Sequence, residues 1–439
     1  MCTTSRRGRS KAEETLLDVL PVKPPVTPGH ALQEYLSKAY GDALTAHELG
    51  LQPADDSTAK LHVPISIFLH VNGNGPPHYA GIHHDEVHFS ASLLKAAAMF
   101  AAFSLFIEAN ALAAQQSFVS LDDFISALGL KFNSNDAVPA IINAGVGLKP
   151  QYKKILFVTG FGAGRNPDVK FQPDFLSPLP EDELRFKHYL DVQKQELDLG
   201  NIRIVRGEIE ENAKTLAALA QVSDLFLMIV KSDNSRTSKC INNLGFAYIN
   251  VTLMNGGFYD RASVAGIWLA ANFVGGTRVG IDSVNDLNAA QVTTTRKMSE
   301  LFSLIQRGKL VHDESSPAQK ELSRLANIDM KTLLRAANDF EPTWLGRGSV
   351  RLFTVEAVKI GVANLKPNTN PMGPDVYSEA NIARWNDAAK LVNPAFGLDL
   401  NGVIVRCWQN LRDGTNVRLD GIAGIVERTV SGFLDQTPV

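Results

Sequence analysis

The chain has 439 residues, a net charge of −3 and 45% hydrophobic residues, enough length and apolar content for a large core or two lobes. The near-neutral balance, with no basic run interleaved with aromatics, excludes an electrostatic case for a nucleic-acid partner. The three cysteines, Cys2, Cys240 and Cys407, are far apart and odd in number, so they imply neither a disulfide framework nor a metal-ligand spacing.

Residues 1–30 carry Arg6, Arg7, Arg9 and Lys11 and then Pro21, Pro24, Pro25 and Pro28, a composition that predicts a disordered or extended arm. No apolar stretch of the secretory type follows those charges, so a cytoplasmic location is expected. The segment from His62 to His70 reads as a strand, Asn72 to Pro77 as turn material, and His78 to Ile82 as the returning strand.

Ser92-Leu-Leu-Lys95 then opens a long apolar helix. Residues three apart on a helix share one face, so the serine hydroxyl and the lysine amine are neighbours. An amine that is partly desolvated and near other cations loses its proton more readily and can activate a serine as a nucleophile. The bland alternative makes Ser92 an N-cap and lets Lys95 snorkel to solvent. A second Ser-x-x-Lys, Ser57 to Lys60, follows Pro53, Asp55 and Asp56 in loop chemistry and has no helical pattern. The stretch from Ala96 to Ile107, bracketed by Lys95 and Glu108, is too short to span a bilayer, and no membrane partner is expected.

Between that helix and the next motif lie many residues whose pattern assigns no purpose, and an insertion is placed within roughly 115–200. The run from Lys154 to Arg165 begins like a strand and dinucleotide loop. It has Arg165 at the last glycine position and then Asn166-Pro167, so no dinucleotide cofactor is inferred. Ser232-Asp-Asn234 follows the apolar run Leu225 to Val230 and precedes a helical pattern closed by Gly245, which places it on a tight connection between helices. Ser, Asp and Asn are also ordinary turn residues, as Ser283-Val-Asn285 illustrates. Thr293 to Met298 opens an amphipathic helix that ends at Arg307-Gly308.

Lys359-Ile-Gly361 lies in a β-rich stretch beginning at Val350, so the lysine is on a strand. Its glycine points to close approach by a ligand or another backbone, although a surface lysine on an edge strand is the plainer reading. Further strands are expected from Val376 to Arg384 and from Gly402 to Cys407, and a last helix from about Leu419 to Leu434.

Ser-x-x-Lys, Ser-Asp-Asn and Lys-x-Gly in this order and in these contexts resemble the serine β-lactamase and penicillin-binding protein superfamily, whose last motif is Lys-Thr-Gly. The resemblance implies an α/β (α+β) fold in which an antiparallel sheet is flanked by helices. That sheet comes from about 60–90 and 345–439, and a helical lobe over about 91–340 carries the insertion. Residues 31–439 would then form one catalytic domain.

The resemblance also implies the site roles. Ser92 would be the nucleophile and Lys95 its base. Ser232 would relay a proton to the leaving group, and Asn234 would hold a substrate amide. Lys359 would attract a substrate carboxylate, and Gly361 would leave room for an oxyanion hole formed by the backbone N–H groups of Ser92 and Val362. The implied activity is hydrolysis of an amide, β-lactam or ester in a small-molecule or peptide substrate, with no cofactor and no metal. The alternatives are a D,D-peptidase or esterase with slow deacylation, or a pseudoenzyme that binds a ligand or partner.

Three features depart from that pattern. Isoleucine at 360 removes a hydroxyl that would bond a substrate carboxylate. The absence of a secretory pattern is unusual for the family. The loop glutamate that deacylates in Glu-x-x-Leu-Asn finds its nearest counterpart in Val284 to Asn288, with valine in the glutamate's place and only Asp282 or Asp286 near it. The cluster His70, His78, His83, His84 and His88 lacks a zinc spacing, because adjacent strand residues His83 and His84 would face opposite sides, and polar packing is the expectation.

Overall fold

The computed structural model describes residues 30–49, 63–70, 77–104, 224–244, 246–258, 266–275, 283–284, 291–308, 317–340, 352–363, 376–385, 399–408 and 419–436. The expected arm up to residue 29, the expected insertion and Ser57 to Lys60 lie outside them, and His30, placed in the arm, opens the first helix. In chain order the elements are α1 (His30–Thr45), β1 (Ile65–His70), β2 (His78–Ile82), β3 (His88–Phe89) and a 3-10 turn (Ala91–Leu94). That turn runs on into α2, of which 95–104 are described. Then come α3 (Asp224–Ile229), α4 (Asn234–Leu244), α5 (Phe246–Asn255), β4 (Trp268–Leu269), β5 (Gln291–Thr293), α6 (Thr295–Gln306) and α7 (Pro317–Phe340). The chain closes with β6 (Phe353–Ala363), β7 (Val376–Trp385), β8 (Asp399–Trp408) and α8 (Leu419–Gln436).

Strands from both ends of the chain form one antiparallel sheet in the order β2-β1-β8-β7-β6. The β1–β2 hairpin follows from the two apolar runs and the turn residues between them, and β1 is buried along its whole length. Alternation along β6 and β7 feeds two cores. On one side Ala357, Ala380 and Ile382 pack with Leu93, Leu94, Met99 and Phe100 and with the apolar faces of α4 to α7. On the other, Val358, Ile360, Ala383 and Trp385 pack with Leu32, Leu36 and Tyr40 of α1 and Ile422, Ile425 and Val426 of α8. The sheet is therefore covered on both faces, which is why α2 is apolar almost all round.

A small sheet, β3-β5-β4, stands beside the main one and ties the chain just before Ser92 to the chain just before α6. Thr294 caps α6 by accepting the N–H of Lys297, as the threonine-rich start implies. Among the described residues no helix is long and apolar enough to cross a membrane.

Candidate active site

Ser92 lies in the 3-10 turn that leads into α2, half-buried, whereas Lys95 one turn on is fully buried. The residue before the serine, Ala91, has φ +47°. A side chain is disfavoured there, at a cost of about 1–3 kcal/mol, and such strain persists only where surrounding contacts impose it. Part of that constraint comes from β7: the Ser378 hydroxyl donates to Ser90 O at 2.8 Å and lies 3.3 Å from Gly361 O.

Gly361 is required by space. A Cβ there would stand 2.2 Å from Ser90 O, 2.5 Å from Ser378 Oγ and 2.8 Å from Leu93 N. Backbone cannot yield at those distances, so the strand presses directly against the turn that carries Ser92. Gly361→Ala is expected to push β6 off this turn and slow any reaction at Ser92 by about 10²-fold, the cost of roughly 1 Å of misplacement. The ratio of acylation rates checks this, with thermal unfolding recorded alongside.

The Ser232–Asn234 connection joins α3 to α4. Ser232 has φ +54° and is half-buried, and Asn234 is exposed. Asp233 caps α4: its Oδ1 accepts the N–H of Arg236 at 2.9 Å and the hydroxyl of Ser235 at 2.8 Å. The Arg236 N–H and the Ser235 hydroxyl hold the Asp233 carboxyl below its ordinary pKa. A carboxyl lowered in this way contributes stability that is fully present above the unfolded value and is lost as pH falls through the lowered native one. Asp233→Ala is expected to cost about 1 kcal/mol. Its deficit against the parent should shrink as acid protonates the parent's cap, which paired thermal melts across pH will show.

Three of the predicted residues meet at the Ser232 hydroxyl, and Asn234 joins them through Lys95. Lys95 Nζ donates to Ser232 Oγ at 3.1 Å, to Asn234 Oδ1 at 2.8 Å and to the Ser232 carbonyl. Lys359 Nζ donates to the same Ser232 Oγ at 3.0 Å, and Lys359 is only 2% exposed. Neither lysine snorkels, and Lys359 is no surface lysine, although β6 is the edge strand. Both amines are buried, whereas Ser92 and Ser232 are half-buried and Asn234 is exposed. Val362 follows Gly361 on that edge, and Ile360 turns into the core on the far side of the sheet.

Three contributors carry no local sequence signal. The Phe273 ring lies over Lys95 Nζ, 4.9 Å from its centroid. Ser238, one turn into α4, accepts the N–H groups of Phe273 and Val274 at 3.0 and 2.9 Å. Ser378 is the third. The residue against Lys95 is thus Phe273, whereas Val284 is tied through its N–H to Val87 O at 2.9 Å. Asp282, Asn285, Asp286 and Asn288 lie outside the described residues.

The histidines engage side chains of their own surroundings, and two of them share Glu86. His70 bonds Ser303 Oγ at 2.8 Å, and His78 packs on the Phe433 ring. His83 and His88 each approach Glu86 at 3.3 Å, and His84 Nδ1 bonds the Tyr79 hydroxyl. Burial holds His84 below and Tyr79 above their ordinary pKa values.

A sheet built from both chain ends, a Ser-x-x-Lys helix start against its edge, a Ser-x-Asn turn and a Lys-x-Gly strand therefore converge. The fold is β-lactamase-like. No protein-family model and no curated protein matches the sequence. Among solved structures the chain is similar to PBP-A, at 15% identity and a TM-score of 0.39, over 94% of this chain and 99% of that one. It is similar to a β-lactamase from Chitinophaga pinensis at 14% identity and a TM-score of 0.41, over 92% and 98% of the two chains. A β-lactamase from Sphaerobacter thermophilus gives 11% identity and a TM-score of 0.39, over 92% and 98%. The activities in those names belong to those proteins. The reading of this site rests on its own geometry.

Proposed function

We propose that the chain is a serine hydrolase that forms an acyl-enzyme on Ser92 with a small-molecule or peptide substrate carrying an amide, β-lactam or ester carbonyl. The observation that carries this reading is the pair of buried lysines sharing the Ser232 hydroxyl, one of them a single turn beyond a half-buried Ser92. Burying two amines is costly unless they are paired or have work to do, and like charges brought this close disfavour a second proton.

Ser92 Oγ attacks the carbonyl carbon and its proton passes to Lys95. The backbone N–H groups of Ser92 and Val362 receive the developing oxyanion, a contribution of about 3–4 kcal/mol per donor in well-formed sites. Ser232 Oγ, between the two amines, hands a proton to the leaving nitrogen or oxygen and is replenished from Lys95. Asn234 orients the substrate amide. Lys359 keeps a positive potential beside Ser232 and attracts a carboxylate where the substrate has one. With Ile360 turned into the far core, that carboxylate receives no hydroxyl from position 360, which favours substrates recognised chiefly through their acyl part.

Incubation with a fluorescent β-lactam, followed in parallel by loss of drug absorbance, tests the reading. A covalently labelled band is expected. No label and no drug loss, repeated with simple esters and acyl-D-alanyl peptides, would leave a non-catalytic binding protein as the better reading.

A further inference from the structure

The Lys95 amine is bounded by an aromatic ring as well as by the oxygens of the Ser232–Asn234 turn. Lys95 is fully buried although Ser92 and Ser232 beside it are half-buried. Three oxygens of the Ser232–Asn234 turn meet its protons on one side. The Phe273 face lies over the amine as well, 4.9 Å away. That ring is held in place. Ser238, itself 7% exposed and rooted in the helix that begins at Asn234, accepts both the Phe273 and the Val274 N–H. The clamp therefore couples the ring to the same turn that holds Lys95, while the next side chain, Val274, is 56% exposed.

Resting on the acyl-enzyme reading above, we propose that Phe273 is a positioning residue that caps Lys95 against water and makes the acyl-enzyme on Ser92 long-lived. Hydrolysis of that intermediate needs water oxygen to bond the acyl carbon while the bond from that carbon to Ser92 Oγ breaks. One water proton must go to a base and one must return to Ser92 Oγ. The ring fills space beside Lys95 in which such a water could meet the amine, and it offers no acceptor for the water's proton. Acylation needs none of that water. The cap thus separates the two half-reactions: Ser92 acylates under the ring, and the acyl group then waits.

The test uses the full chain and a fluorescent penicillin, with acylation rate and adduct decay measured separately by intact mass. Phe273→Ala should speed decay several-fold and leave acylation much less affected. Phe273→Leu, which keeps an apolar cover, should retain the slow decay. Phe273→Glu places a carboxylate beside the amine and should speed decay by about 10²-fold or more, the scale of general-base assistance. Ser238→Ala, which frees the loop and leaves the ring intact, should also speed decay, and melting curves establish that each variant folds. Adducts that form in every variant and decay at the parent's rate would overturn the cap and leave the acyl-enzyme reading standing. Failure of the parent to form any adduct would overturn both. Faster decay in Phe273→Leu equal to that in Phe273→Ala would also overturn the cap, because an apolar cover would then not be what matters.

Discussion

Ser92→Ala is expected to abolish covalent labelling by acyl-transfer probes while leaving thermal unfolding close to that of the parent. The serine is half-buried at the start of the 3-10 turn, where removal of one oxygen creates little cavity. Its neighbours Leu93 and Leu94 keep the turn anchored in the core. The hydroxyl is the nucleophile the geometry points to, so no partial activity should survive at the labelling level. Labelling that persists in the alanine variant would move the reactive serine elsewhere. Ser232, which already contacts two amines, would be the first to examine, followed by Ser57.

Lys95→Met is expected to slow acylation by about 10³–10⁴-fold or more, because removing the base of a unit that acts together costs nearly as much as removing its nucleophile. Methionine keeps much of the side-chain volume and drops the amine. The substitution also takes a donor from Ser232 O, Ser232 Oγ and Asn234 Oδ1, so the turn loses its inner anchor. Stability and rate must therefore be read apart. Burst kinetics on folded protein, with the melt recorded on the same sample, makes the separation. An unchanged acylation rate would reduce Lys95 to a structural post for the Ser232 turn.

The comparison of sequence with structure divides by range of interaction. Ser92 and Lys95 were legible because helical spacing puts them on one face and the apolar run behind them demands burial. Lys359 was legible because Lys-x-Gly falls in a β-rich stretch, where a glycine inside a strand signals close approach. The Ser232 connection was marked by the apolar run before it and the helix after it. None of these patterns states that two amines share one hydroxyl, since that depends on how β6 packs against the Ser92 turn, and Gly361 is what permits it.

Phe273 illustrates the opposite limit. Its position is set by a clamp from Ser238 on another element, and nothing in the residues around 273 reports that contact. The Leu-Asn pair at 287–288 pointed to Val284 for the place of a deacylating group. Val284 instead follows the strand path near Val87, and the ring beside the amine arrives from the segment after β4. Ser378 is likewise one serine on a strand until the register with Gly361 puts its hydroxyl on Ser90 O. The arm and the insertion rest on the sequence alone, because nearly all of their residues lie outside the described ones.

The central claim is that Ser92, served by Lys95 and Ser232, forms a covalent acyl-enzyme. Peptide mapping after a brief exposure of the full chain to a β-lactam tests it most directly. The account predicts a mass increase equal to the whole drug, on the peptide containing Ser92 and on that residue, and its absence from the Lys95→Met protein over the same time. A drug adduct on any other residue, or equal modification of Ser92 in the parent and in Lys95→Met, would contradict it.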